Sequence, residues 1–257
     1  MAEKPTLVLV PGSWHGPETW NRLIANLEPE KYKCIPINLP SNLSDPSTTF
    51  ADDLKAVRDP IISEISQGHD VVVVVHSYGG IVGASAIKGL TKSKGEISET
   101  TGSKSGHVIG LVMIATGFVV PAKSFLDGLG GTPPPSWKAD SETGLATLVG
   151  DPRELFYHDL PVEDGNYWVG KLRPQALKVL AEGGEDFYSG WLDVPVWYLS
   201  TAEDKALPIE AQRMFVQMAK DAGADVTVEE IESSHSPMLS RPKETAEFVA
   251  KAAKFLG

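Results

Sequence analysis

The stretch "VVVVVHSYGGIVG", residues 71–83, decides how the whole chain is read. Five consecutive valines are β-branched and apolar on both faces, the composition of a strand covered by helices on its two sides. The run stops on His76-Ser77-Tyr78-Gly79-Gly80, and an apolar, small-residue segment of helical length follows at once. A strand, one tight corner and a helix form the setting in which a serine is lifted above a sheet rim, its backbone forced into an unfavourable conformation. Gly79 and Gly80 suit such a corner, because without Cβ atoms the strand and helix can approach closely. The usual pattern is G-x-S-x-G, and here Val75 stands at the first glycine position. A plain strand-to-helix turn with a capping serine has the same short pattern, so the rest of the chain must decide between them.

Outward from this corner, short apolar runs alternate with segments of helical length. The runs are "TLVLV" (6–10), "CIPIN" (34–38), the valine run, "VIGLVMIA" (108–115), "VPVWYLS" (194–200) and "VTVEEI" (226–231). The first five are mainly apolar on both faces and predict parallel strands covered by helices; the last alternates Val with Glu and predicts an edge. Helices are expected over 17–27, 51–67, 79–90, 209–222 and 243–255, the last with a proline near its start and amphipathic spacing. The fold class expected is therefore α/β, a doubly wound and mainly parallel sheet of about six strands that takes its ligand at their carboxyl ends.

Two segments interrupt the alternation. Residues 88–107 are polar, rich in Ser, Thr and Lys, and predict a solvated surface loop. Residues 121–192 open with the Gly/Pro run "GLGGTPPPSW", carry short helical pieces such as "DPRELFYHDL", and hold nine of the chain's twenty aromatic residues. That excess predicts a helical cap inserted after the fourth strand, above a core built from residues 1–120 and 193–257. The Gly/Pro run at 128–135 has the composition of a gate.

The bulk properties narrow the function classes. A chain of 257 residues is long enough for one large α/β domain, and its net charge of −11 argues against nucleic acid or anionic membrane as partner. Cys34, the only cysteine, falls in the run "CIPIN" and reads as a buried strand residue, with no disulfide possible within one chain. The apolar core of "MAEKPTLVLVPG" is too short for a signal peptide and no other run approaches a membrane span, so the expected location is cytoplasmic. His69, His107 and His158 lack carboxylate or cysteine partners at metal spacing, and "PGSWHG" lacks the features of a phosphate loop. No metal and no organic cofactor are expected; the partner expected is a small-molecule substrate.

Serine is a weak nucleophile and needs a general base that is itself oriented by an acid, in the chain order Ser, Asp/Glu, His for this architecture. The loop "TAEDKALP" (201–208) offers Glu203 and Asp204, and "ESSHSPMLSRP" (232–242) offers His235. All three groups follow strands, which sets them on one rim. His76 is read as a packing residue, while His15 is open between shaping the neighbouring loop and touching substrate.

On "PGSWHGPETW" (11–20), "HSYGG" (76–80), "TAEDKALP" and "SSHSPMLSRP" (233–242), the chain resembles the α/β-hydrolases, in the branch of plant methylesterases, hydroxynitrile lyases and related esterases. The resemblance covers nearly the whole chain, with Pro11 in place of the leading histidine of H-G-x-x-H-G-x-x-x-W. It implies a serine hydrolase with Ser77 as nucleophile, Asp204 rather than Glu203 as acid and His235 as base. It also implies the backbone N–H groups of Ser13 and Tyr78 as the oxyanion hole. The substrate pocket is expected to draw on Trp14, His15, Phe118, Trp137, Phe156 and Trp168. The expected reaction is cleavage of an ester, thioester or lactone of a small apolar or aromatic molecule. The alternatives are a lyase, carbon–carbon hydrolase or cyclase using the same three residues, and a ligand receptor on this scaffold. The resembling lyases carry a lysine after the histidine and a threonine in the oxyanion loop, where this chain has Ser236 and Gly12.

Overall fold

The valine run is the third of six parallel strands in the computed structural model, which describes residues 3–92 and 105–257. In chain order the strands are β1 (Thr6–Val10), β2 (Cys34–Pro36), β3 (Val71–His76), β4 (Val108–Ile114), β5 (Trp137–Asp140), β6 (Leu145–Leu148), β7 (Gln175–Ala176), β8 (Val196–Thr201) and β9 (Val226–Ile231). The main sheet has the order β2-β1-β3-β4-β8-β9. Its chain runs outward from β1 to β2 and then returns to the other side of β1 as β3. The order therefore reverses beside β1 and β3, where the loops leaving the two strands diverge and open a crevice. Register makes that crevice level: Val10 lies opposite Val75, His76 opposite Ile114, Ile114 opposite Leu199 and Thr201 opposite Ile231. All five loops that follow these strands thus start from one rim.

Helices Phe50–Ser66, Gly79–Ala86, Ile209–Asp221 and Pro242–Leu256 flank the sheet, with a shorter one at Asn21–Leu27. The helix after the corner ends four residues short of the expectation. Arg58 takes the carbonyls of Ala86 and Lys88, at 2.6 and 2.9 Å, and Gly89 turns away at φ 72°. The second strand also departs from its expectation. It pairs over only three residues, at the edge of the sheet, and Cys34 is half-buried rather than buried. Pro36 explains this, since it has no N–H to donate to a further strand and sits where sheets tolerate it. Burial still pushes the Cys34 thiol up to about 11. The edge position of β9 agrees with its alternating Val and Glu.

Between β4 and β8 the chain contributes nothing to the main sheet. It forms the expected short helical pieces and, in addition, a three-stranded antiparallel sheet in the order β5-β6-β7. A hairpin opens that sheet, closed where the Asp140 carboxylate accepts the amides of Glu142 and Thr143 and Gly144 adopts φ 68°. The insertion is tied down at its back by Asp164, which holds the Arg22 guanidinium through two hydrogen bonds of 2.7 and 2.8 Å. Much of the polar segment 88–107, residues 93–104, lies outside the described residues. Among the described residues no helix is long and apolar enough to cross a membrane.

Candidate active site

Ser77 occupies the corner between β3 and the Gly79–Ala86 helix with φ 51°, in the left-handed region that a serine seldom adopts. Such a conformation costs of the order of 1–3 kcal/mol. It is offset by the fully buried valine run that leads into it, each side chain contributing about 1.5–3 kcal/mol of transfer free energy. The glycines keep the corner tight. A Cβ on Gly79 would lie 2.5 Å from the Pro11 carbonyl oxygen, and one on Gly80 would lie 2.1 Å from Thr116 Oγ1. That threonine, which the sequence reading missed, donates to the Ser77 carbonyl at 2.6 Å. It is held in turn by the Tyr198 hydroxyl, which accepts its N–H at 3.2 Å and donates to its carbonyl at 2.5 Å.

His235 and Asp204 come from the loops after β9 and β8. Both side chains are buried, and His235 Nδ1 meets Asp204 Oδ2 at 2.7 Å. The carboxylate is fully engaged: Oδ2 also accepts from Thr201 Oγ1 at 2.8 Å and Gln212 Nε2 at 3.2 Å, and Oδ1 accepts the amides of Ala206 and Leu207, both at 2.8 Å. Glu203 is exposed, so of the two acids open to the sequence reading only Asp204 reaches the imidazole. Gln212 was not anticipated. Its signal was a polar residue on the buried stripe Gln212–Val216–Ala219 of its helix. With Nδ1 committed to Asp204, Nε2 of His235 has no hydrogen-bond partner among the described residues.

Around the imidazole the loop is fixed from two sides. His76 is fully buried and its Nε2 donates to the His235 carbonyl at 2.8 Å, the packing role expected of it. Burial and the neighbouring His235 and His15 hold its own basicity well below the usual imidazole range. From the insertion, Asp159 accepts the Ser234 amide at 3.0 Å and the Phe156 carbonyl accepts the Ser234 hydroxyl at 2.9 Å.

Ser77, His235, Ser13 and Tyr78 all line one cavity of about 410 Å³. The Ser77 hydroxyl makes no hydrogen bond among the described residues, and it and the imidazole share the cavity without one between them. Neither the Ser13 nor the Tyr78 N–H donates to any acceptor among the described residues. Two unpaired amides beside a serine are a ready site for negative charge on oxygen. The loop carrying Ser13 is braced by Asn42, a residue absent from the sequence reading. Its Oδ1 accepts the Trp14 amide at 3.0 Å, and its Nδ2 donates to the carbonyls of Gly12 and His15 at 3.0 and 2.9 Å. This holds Trp14 at φ 64°.

Of the six side chains expected at a substrate pocket, Trp14, Phe118, Trp137 and Phe156 line the cavity, while His15 and Trp168 do not. His15 is turned inward: Nδ1 meets the Ser13 carbonyl at 2.6 Å and Nε2 the Tyr157 hydroxyl at 2.7 Å. Burial lowers it to about 4, so the ring is neutral, with Nδ1–H donating to Ser13 and Nε2 accepting from Tyr157. These two bonds tie the Ser13 loop to the insertion. Trp168 lies at the back of the insertion over the Arg22 guanidinium, 5.7 Å from the ring centre. The cavity is instead completed by Phe125 and Phe187 of the insertion and by Phe215 and Met218. The last two lie on the Ile209–Asp221 helix outside its buried stripe, an apolar surplus that could have flagged them. Among the described residues no group of three or more His, Cys, Asp or Glu is arranged to hold a metal ion.

Comparison with known proteins bears on the fold and the family. An alpha/beta hydrolase of Aspergillus novofumigatus, nvfD, is 27% identical over 97% of both chains. Methylesterase 1 of Arabidopsis thaliana is 24% identical over 97% of this chain and 96% of its own. The crystal structure of polyneuridine aldehyde esterase superposes with a TM-score of 0.74, covering 97% of this chain and all of the other at 22% identity, a likeness of fold. Residues 7–248 match the sequence profile of the alpha/beta hydrolase family, and the chain belongs to that family.

Proposed function

We propose that the protein is a serine hydrolase that cleaves a carboxylic ester, thioester or lactone of a small apolar or aromatic molecule through an acyl-enzyme. The observation that carries this reading is one cavity of about 410 Å³ shared by a strained serine, an Asp204-bound imidazole and two unpaired amides. In the reaction, Ser77 Oγ attacks the carbonyl carbon while His235 Nε2 takes its proton. Asp204 keeps the Nδ1–H tautomer and stabilises the imidazolium that forms. The Ser13 and Tyr78 N–H groups receive the charge that develops on the carbonyl oxygen. His235 then returns the proton to the departing alcohol or thiol. Water attacks the acyl-enzyme with the same imidazole as base, releasing the acid and restoring Ser77. The Ser77–His235 hydrogen bond closes in the substrate complex, where catalytic hydrogen bonds commonly tighten.

The aromatic lining supports substrates with rings, and the relatives named as esterases support ester chemistry. Residues 121–192 act in this reading as a cap over the core of residues 1–120 and 193–257, contributing Trp137, Phe156 and Phe187 to the wall. Cyanide-eliminating lyase chemistry is disfavoured by the oxyanion loop itself. A Cβ on Gly12 would meet Ser77 Cβ at 2.9 Å and His76 Nδ1 at 3.1 Å, so a threonine there has no room without movement. The test is labelling with a fluorophosphonate, which acylation-competent serines attack. The wild-type protein is expected to be labelled on Ser77 and Ser77→Ala to be inert, with turnover of p-nitrophenyl butyrate reduced about 10⁶-fold. Wild-type protein that neither labels nor turns over the ester overturns the reading.

A further inference from the structure

One buried carboxylate takes no part in the steps above. Asp53 lies on the Phe50–Ser66 helix and is wholly enclosed, yet the helix start is capped by Thr49 with Asp52 and has no need of it. Its Oδ2 accepts the Tyr78 hydroxyl at 3.0 Å and its Oδ1 accepts the Ser41 amide at 2.9 Å. Each of these donors leads to one of the two unpaired amides. Tyr78 carries one on its own backbone. Ser41 precedes Asn42, whose three hydrogen bonds brace the loop that carries the Ser13 N–H. Burial pushes the Asp53 carboxyl up to about 6, against the opposing pull of its bonds to Ser41 and Tyr78. A charge in so dry a place is tolerated only where hydrogen bonds compensate it, and these two donors supply that compensation.

We propose that Asp53 is a positioning residue for the oxyanion site: by tying the Tyr78 ring to the Ser41–Asn42 turn, it sets the spacing between the Tyr78 and Ser13 amides. The assignment rests on the hydrolase reading of Ser77. Oxyanion donors act only when aimed at the position the charged oxygen will occupy, and misplacement of about 1 Å can cost 100-fold. A tether that spans both donors is therefore felt in the transition state more than in substrate binding.

The test compares Asp53→Ala, Asp53→Asn and Tyr78→Phe with wild type on p-nitrophenyl butyrate, with melting temperature recorded for each. A second readout is inhibition by phenylboronic acid, whose tetrahedral serine adduct places an oxygen where the oxyanion forms. Asn retains both contacts, since its carbonyl accepts the Ser41 N–H and its amide donates to the Tyr78 hydroxyl. Asp53→Ala is expected to lower kcat by about 10- to 100-fold with little change in KM, and boronic acid affinity by a similar factor. Asp53→Asn is expected to recover most of that loss, and Tyr78→Phe to fall between Ala and wild type. Wild-type kcat and boronic acid affinity in Asp53→Ala overturn the assignment, as does an Asn variant as impaired as Ala, or a loss confined to KM. If Asp53→Ala does not fold, Tyr78→Phe decides alone, and wild-type values there overturn it. A wild-type protein inert to both the ester and a fluorophosphonate instead removes the hydrolase reading, and this assignment with it. Reactive wild type with unaffected variants removes only the role of Asp53.

Discussion

The rim of the main sheet and the insertion above it face the same cavity but are built on opposite terms. At the rim, position is set by hydrogen bonds that leave little freedom. Asp204 accepts from five donors, and Asn42 fastens the Ser13 loop at three points. On the insertion side the wall is Phe125, Trp137, Phe156 and Phe187, which meet the cavity through apolar surface. Its polar anchors lie at its margins, at Asp159 with Ser234, Asp164 with Arg22, and Ala146 with the Trp14 indole at 3.0 Å. Directional bonds fix atoms to fractions of an ångström, while apolar contact is indifferent to the orientation of its partner. For the proposed hydrolase, the comparison assigns reactivity to the hydrogen-bonded rim and selectivity to the apolar wall of the insertion.

The largest way to break that division is to disturb the rim where it is most saturated. Asp204→Asn replaces an acceptor-only group by one that presents an amide to the Thr201, Gln212 and His235 donors, and it no longer fixes the Nδ1–H tautomer. Turnover is expected to fall about 10⁴-fold with the fold retained, measured as kcat on p-nitrophenyl butyrate beside a circular dichroism melt. A fall of less than tenfold would mean that the Asp204–His235 bond does not govern reactivity. Gln212→Leu tests the next layer. It leaves the Thr201 amide without a buried partner, and it removes a donor from the Thr201 hydroxyl, one from Asp204 and one from the Leu207 carbonyl. The expected cost is about 1–3 kcal/mol in denaturant unfolding, together with about a tenfold loss of kcat as Asp204 relaxes. Full stability at reduced kcat would separate positioning from folding; unchanged values of both would show the network to be redundant.

The same division explains what the sequence disclosed. Six strands, their carboxyl ends and the three groups Ser77, Asp204 and His235 were legible because both-face burial writes an unbroken apolar run, and the loops that follow such runs share a rim. The edge strand was misjudged because "CIPIN" reads as buried until Pro36 is given its structural weight. The side chains that brace the rim were harder to see. Asn42, Thr116 and Asp53 act across 28, 39 and 25 residues of chain, and no local periodicity announces a hydrogen bond of that span. The hairpin in the insertion was hidden by its shortness, although "DSETG", from the last residue of Trp137–Asp140 to the start of Leu145–Leu148, carries the turn residues. Trp168 was expected at the cavity and lies away from it, and of the two roles left open for His15 the ring makes the hydrogen bonds that shape the loop. Aromatic content speaks to burial, and only the packing of remote elements decides whether a buried ring faces the cavity or turns away from it.

The finest test asks whether the insertion does nothing but select. Trp137 stands on β5 with its ring 6.2 Å from that of Trp14, and both line the cavity opposite the rim. Trp137→Ala removes apolar wall without touching a hydrogen bond of Ser77, Asp204 or His235. If the insertion sets selectivity alone, the loss falls on substrates whose acyl group reaches that wall. The preference for a p-nitrophenyl benzoate over the acetate, taken as a ratio of kcat/KM, is then expected to drop about tenfold, or about 1.4 kcal/mol of differential transition-state binding. Acetate is too small to use the contact and serves as the internal reference. Equal losses on both esters would mean that Trp137 supports the geometry of the rim through Trp14, and that selection and reactivity are coupled across the cavity.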